Sequence, residues 1–150
     1  MISVQDLVRN YKQNVVQVID YSLVGTAAAT AANYPENLFI APSGTLVPAF
    51  RLIAVTASWT AASTSGTLQV RKMASGVAIG SGTDLLASTI DMSATANTPV
   101  QGTLITNQAT LIIKPTERIG LVAAGNPANQ TGFGISLYLL PVNIEGLSGI

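Results

Sequence analysis

The side chains of this 150-residue chain best suited to chemistry are four carboxylates: Glu36, Asp84, Asp91 and Glu117. Two carboxylates flanking a glycosidic bond can serve as acid and base, or as acid and nucleophile. Their spacing along the chain gives no sign of such a pair. Asp84 closes the run Gly-Ser-Gly-Thr-Asp (80–84), a setting in which Asp caps a turn or a helix start. Glu117 follows Pro115 and precedes Arg118, as in a hairpin turn with a solvated ion pair. Calcium needs several oxygen ligands within a short loop, and no acidic cluster supplies them. The chain has no His and no Cys. The commonest general base, the commonest metal ligand and all thiolate and disulfide chemistry are therefore missing. A Ser-His-Asp triad is impossible, and no Gly-x-Ser-x-Gly elbow occurs. Gly80-Ser81-Gly82 lacks the rest of a phosphate-cradling fingerprint and reads as a flexible turn. Asn129-Gln130-Thr131 fits a glycosylation sequon, a triplet common by chance. No catalytic residue, metal ligand or cofactor site is predicted.

Aromatic side chains offer another chemistry, the stacking of sugars. Trp59 is the single Trp, and with Tyr21, Tyr34 and Tyr138 it could form a saccharide-binding face if all were exposed. The favoured reading places Trp59 at the end of a core strand, plugging the sandwich or a subunit interface, since aromatics are enriched in both.

The elements that must hold these residues are read from composition first. A domain of this length buries roughly 70% of the surface its unfolded chain exposes, so a real core is possible without staples. Hydrophobic residues make up 48% of the chain and charged residues only 9%, against about 25% charged in ordinary proteins. Aromatics are 5%, so the apolar content is Ala, Val, Leu and Ile; twenty Ala, sixteen Thr and twelve Ser suit tightly stacked sheets. Seven acids balance seven bases, and a net charge of zero promotes association. The bases Arg9, Lys12, Arg51, Arg71, Lys72, Lys114 and Arg118 are scattered. Only Arg71 and Lys72 adjoin, and on a strand they point to opposite faces. Nucleic-acid binding needs a basic stripe that this pattern does not provide. No apolar run approaches the ~20 residues of a membrane helix. The N-terminus, with Asp6, Arg9 and Lys12, lacks the apolar core of a signal peptide.

Residues 3 to 12 read as a short helix. Ser3 can cap it with Asp6 three residues on, and Val4, Leu7, Val8 and Tyr11 share one face. Such a segment is too short to be stable alone and must dock on something. Everything after residue 14 has strand character: 15–23, 38–40, 51–59, 67–73, 88–92, 100–106, 110–114, 118–123 and 134–140. In 51–59 the alternation sets Leu52, Ala54, Thr56 and Ser58 on one side and Ile53, Val55, Ala57 and Trp59 on the other. Turn signals at Pro42-Ser43-Gly44, Ser65-Gly66, Gly80-Ser81-Gly82, Asn97-Thr98-Pro99 and Gly125-Asn126-Pro127 separate the strands. Short strands with frequent turns and no helical period between them predict an all-β fold. The expected architecture is an antiparallel, jelly-roll-like β-sandwich of about eight or nine strands over residues 15–140. It is flanked by an N-terminal helix or arm (1–14) and a C-terminal tail (141–150). In the tail, Ile144, Leu147 and Ile150 are apolar although two Gly make it flexible.

From Arg51 to Leu140 the pattern resembles a domain of tailed bacteriophages. It consists of an alternating strand ending in an aromatic, then Gly-Thr-Leu-Gln-Val (66–70) with Arg71 and Lys72, Gly-Thr-Asp-Leu-Leu (82–86), Ile-Asp-Met (90–92) and Thr-Ala-Asn-Thr (95–98). Ile-Lys-Pro-Thr-Glu-Arg-Ile-Gly-Leu-Val (113–122) and Gly-Ile-Ser-Leu-Tyr-Leu (134–139) complete it. Pro-Thr-Glu-Arg (115–118) stands where that pattern has a Gly-Asp turn. Such domains are similar to trimeric head-decoration (cement) or fibre modules. The resemblance covers the last two-thirds of the chain and implies a virion protein on the outer capsid surface, made in the host cytoplasm, with itself and the major capsid protein as partners. The contact residues expected on this reading are Val4, Leu7, Val8, Tyr11, Trp59, Tyr138, Ile144, Leu147 and Ile150. Two other readings stand beside cement: a tail-fibre module recognising host glycans, and a non-viral enzyme or lectin on the same fold.

Overall fold

The computed structural model describes residues 16–23, 34–43 and 49–142. The N-terminal helix expected at 3–12, the Ala-rich stretch at 27–32 and the tail from 143 lie outside the described residues. Among the described residues ten strands run in chain order: β1 Gln17–Ser22, β2 Phe39–Ile40, β3 Ala49–Ser58, β4 Ser65–Met73, β5 Thr83–Asp84, β6 Ile90–Asp91, β7 Val100–Gln101, β8 Ile112–Ile113, β9 Arg118–Asn126 and β10 Gly134–Val142. A 3-10 turn, Ile79–Ser81, lies between β4 and β5. The segments expected at 88–92, 100–106 and 110–114 shrink to two-residue strands, and β5 arises where only a turn was expected.

All the pairings among the described residues are antiparallel, and they build two five-stranded sheets. The first has the order β1-β10-β3-β7, with β8 also on β3; the second has β2-β9-β4-β5, with β6 also on β4. Strand β1 pairs with β10, β2 with β9, β3 with β7 and β8, and β4 with β5 and β6. That nesting is a long two-stranded ribbon rolled up on itself, the strand order of a jelly roll. The protein is an antiparallel β-sandwich of this kind.

Alternation produces the core. Ile135, Leu137 and Leu139 of β10 point inward against Leu68 and Val70 of β4 and Ile119, Leu121 and Ala123 of β9. Strand β3 breaks the strict alternation. Tyr138 pairs with Ala54 but Leu139 pairs with Leu52, so Ile53 is an extra residue, a β-bulge. The bulge lets Leu52 point inward together with Val55, Ala57 and Trp59, while Ile53 is left exposed. The expected split of this strand into two faces therefore holds only from Ala54 onward.

Two backbone positions explain local sequence. Gly120 lets residues 35–38 lie against β9, with Leu121 N–H donating to Pro35 O at 2.9 Å. A Cβ on Gly120 would stand 2.2 Å from the Glu36 carbonyl oxygen. The turn before β9 has Pro115 at its second position and Thr116 at its third, closed by Glu117 N–H donating to Lys114 O at 3.0 Å. Thr116 has φ 70°, the left-handed value a type II turn requires at that position and for which Gly is the usual residue.

Candidate functional site

The four carboxylates are dispersed among separate local partners. Asp84 stands in β5 directly opposite Arg71, whose Nε donates to its Oδ1 at 2.5 Å. It is a cross-strand ion-pair partner, not the turn cap expected from its sequence setting. Glu117 does not pair with Arg118. Its Oε2 accepts from Lys114 N–H at 2.7 Å and lies 3.8 Å from Lys72 Nζ. Arg118 instead donates to Asn37 Oδ1 and Val77 O. Lys72 also donates to Ile112 O at 2.8 Å. Burial holds the Lys72 pKa below its ordinary value, outweighing Glu117, which raises it. Asp91 accepts from the hydroxyl and backbone N–H of Ser93, and those bonds lower its pKa. Glu36 contributes its backbone to the Gly120 contact. Among the described residues no group of three or more acids could hold a metal ion. In the Gly80-Ser81-Gly82 run the Ser81 and Gly82 N–H groups donate to Ala78 O and Ile79 O, both at 3.0 Å, and Arg71 Nη1 donates to Gly80 O at 3.2 Å.

The four aromatics do not form a common face. Trp59 is 1% exposed and donates its Nε1–H to Ala94 O at 3.0 Å. It belongs to the core, so it leaves the set of contact residues. Tyr34 is also buried, edge-on to Phe133, with its hydroxyl donating to Oε1 of the fully buried Gln130. Burial pushes the Tyr34 pKa up to about 12, and the neighbouring Tyr21 adds to the shift. Tyr21 pairs with the inward-facing Ile135, whereas Tyr138 lies in the opposite, outward register. A shared sugar-stacking surface of these four residues is thereby excluded.

Tyr138 leads instead to the outer face of the first sheet. Along β10 the residues between the buried Ile135, Leu137 and Leu139 point outward. Val18, Tyr138 and Ala54 form one cross-strand row on this face, and Asp20, Ser136, Thr56 and Gln101 the next. Val16 and Val18 are 40% and 46% exposed, and Ile53 at the bulge is 38% exposed. Among the other large apolar residues described, Ile40 of β2, in the second sheet, is more open still at 60%. Leu140 and Arg51 stand opposite one another in the next row. Arg51 Nε is buried without a hydrogen-bond acceptor among the described residues. The face is thus apolar at the end where β1 begins and β10 finishes. At its other end it is polar, with a shallow groove of about 320 Å³ lined by Asp20, Ser22, Thr56, Ser58, Pro99 and Ser136, among others. Asp20 there accepts from the Ser136 hydroxyl.

Of the expected contact residues, Tyr138 lies on this face. Val4, Leu7, Val8, Tyr11, Ile144, Leu147 and Ile150 lie outside the described residues. Sequence reading missed Val16, Val18 and Ile53. The run Val15-Val16-Gln17-Val18 carried a signal, because its β-branched residues exceed what one buried face requires. Ile53 carried none, because the bulge that exposes it depends on its partner strand.

The fold class is settled by this architecture: an all-β jelly-roll sandwich. Comparison with family models, curated proteins and solved structures finds no match to this chain.

Proposed function

We propose that this chain is a structural protein of a virus particle, a homotrimeric decoration or cement protein. In this reading it lies on the outer surface of a phage head and stabilises contacts between major capsid subunits. It is not an enzyme, and it has no cofactor, nucleic-acid or membrane partner. The observation that carries the reading is the concentration of exposed apolar side chains on one sheet face, Val16, Val18 and Ile53 beside Tyr138. Clustered apolar surface marks an interaction site, whereas scattered single residues need no explanation. Zero net charge adds no self-repulsion. Jelly rolls serve in capsids and lectins alike, so the fold by itself favours neither. The glycan-binding alternative is weakened by the burial of Trp59 and Tyr34 and by the opposite facing of Tyr21 and Tyr138.

The test has two arms. Light scattering should give three chains per particle at micromolar concentration, and Tyr138→Asp should give a folded monomer with an unchanged circular dichroism spectrum. The chain should co-sediment with phage shells lacking their decoration protein, and it should protect them against heat. A stable wild-type monomer that ignores such shells refutes the proposal.

A further inference from the structure

We infer that the groove at the polar end of the outer face is a binding site for a neutral saccharide, seated on the bare backbone of Gly134. This goes beyond the assembly reading and does not depend on it. The first ground is Gly134 itself. It lies in β10, opposite Ser22 of β1 on one side and Ser58 of β3 on the other. Glycine inside a strand weakens that strand, so its presence needs a reason. The other glycines in the described strands have one. A Cβ on Gly66 would meet the Met92 side chain at 2.7 Å, a Cβ on Gly120 would meet the Glu36 carbonyl, and Gly125 has φ 72°. Gly134 has no left-handed φ, and the nearest atom to its Cβ would be Tyr21 O at 3.8 Å. Nothing in the described fold requires glycine here. Ile135 faces inward, so the side chain missing at Gly134 leaves the floor of the groove open. A bare strand backbone marks places where a ligand comes close.

The second ground is the chemistry of the lining. Two cross-strand rows form the floor: Asp20, Ser136 and Thr56, then Ser22, Gly134 and Ser58. Three strands by two rows make a patch of about 10 Å by 7 Å, the footprint of a small saccharide. Four hydroxyls, each able to donate and accept, stand around one carboxylate that only accepts. Asp20 Oδ1 takes the Ser136 hydroxyl proton, which leaves Oδ2 for a ligand hydroxyl. A sugar ring carries the matching set of hydroxyls. Asp20 is the only charged residue in the lining, so phosphate and other anions are repelled. A cation would gain little from a single solvent-exposed carboxylate. Recognition here works through hydrogen bonds and needs none of the aromatic stacking excluded above.

The test uses the full chain labelled with nitrogen-15. Glucose, galactose, N-acetylglucosamine and maltose are titrated in at millimolar concentration, and amide shifts are followed. At least one sugar should move the amides of Ser22, Ser58, Gly134 and Ser136 and leave those of the second sheet unmoved. Gly134→Ala fills the floor of the groove. It should melt at the wild-type temperature or above, because alanine reduces the freedom of the unfolded chain. It should also lose the response to that sugar. Asp20→Ala should weaken binding about tenfold or more, as expected for a hydrogen bond to a charged group. No amide shift with any of the four sugars overturns the inference, as does an undiminished response in Gly134→Ala. A Gly134→Ala chain that unfolds also overturns it, since the fold itself would then require the glycine. If no sugar binds but Gly134→Ala loses attachment to phage shells, the groove is a protein contact instead. A monomeric wild-type chain would remove the assembly reading and leave this site standing.

Discussion

At the scale of single residues, the polar groups of this protein act on their immediate neighbours. Tyr34 and Gln130 show it most clearly, because both are buried and each depends on the other. The Tyr34 pKa of about 12 lies above the unfolded value near 10. The protonated phenol is thus favoured by folding, and its contribution is complete below pH 10 and lost as the pH rises from 10 through 12. Absorbance titration at 295 nm should show one tyrosine ionising last, coincident with alkaline unfolding, and Tyr34→Phe should remove that component. Tyr34→Phe should also cost about 1–3 kcal/mol at neutral pH, since it leaves the Gln130 acceptor buried without a donor. Thr116 gives an opposite case. Its left-handed φ of 70° costs a β-branched residue about 1–2 kcal/mol. Thr116→Gly should raise the melting temperature by a few degrees; an unchanged or lower value in calorimetry refutes the strain.

At the scale of elements, the bulge in β3 decides which residues form core and which form surface. Leu52 is 1% exposed and Ile53 is 38% exposed. Leu52→Ala should therefore destabilise the monomer by about 2–5 kcal/mol. Ile53→Ala should change monomer stability by no more than about 0.5 kcal/mol, as at a surface position. Urea melts of the two variants check this directly, and a larger loss from Ile53→Ala than from Leu52→Ala would show that the strand runs in strict alternation without a bulge. If the outer face is the subunit contact, Ile53→Ala also weakens association while the monomer stays stable. The short strands β5 to β8 have a different logic. They are held by the longer strands beside them, as Asp84 is by Arg71 and as Ile90 and Asp91 are by Leu68 and Thr67.

At the scale of the whole molecule, the rolled ribbon brings β1 onto β10 and β2 onto β9, so its defining contacts join distant parts of the chain. Such topologies close large loops before contacts compensate for them, and they fold slowly. The same roll places the start of β1 and the end of β10 at one end of one sheet, beside the apolar face. On the proposed structural role, that geometry matters more than any one reactive side chain. Asp84→Ala and Glu117→Ala should accordingly alter stability or assembly alone. Detection of glycoside hydrolysis by the purified chain, abolished by either substitution, would refute a purely structural role.

The sequence alone determined the fold class, because period-two alternation, frequent turn residues and the lack of any helical period after residue 14 are local properties. The absence of His and Cys set chemical limits in the same way, since composition does not depend on conformation. Long strands such as β4 and β9 were legible because each carries its own apolar pattern. Only the tertiary structure decided the rest. Strands of two residues are too short to show a period, and they exist because a partner pairs with them. The bulge at Ile53 is a relation between β3 and β10, written in neither strand by itself. Trp59 could equally have served as core or contact, since an aromatic suits both, and the packing of the two sheets put it in the core. The partners of Asp84 and Glu117 were settled by register, which a one-residue shift would have reversed. The apolar outer face appeared only once three strands distant in sequence stood side by side and left Val16, Val18 and Ile53 on the same surface.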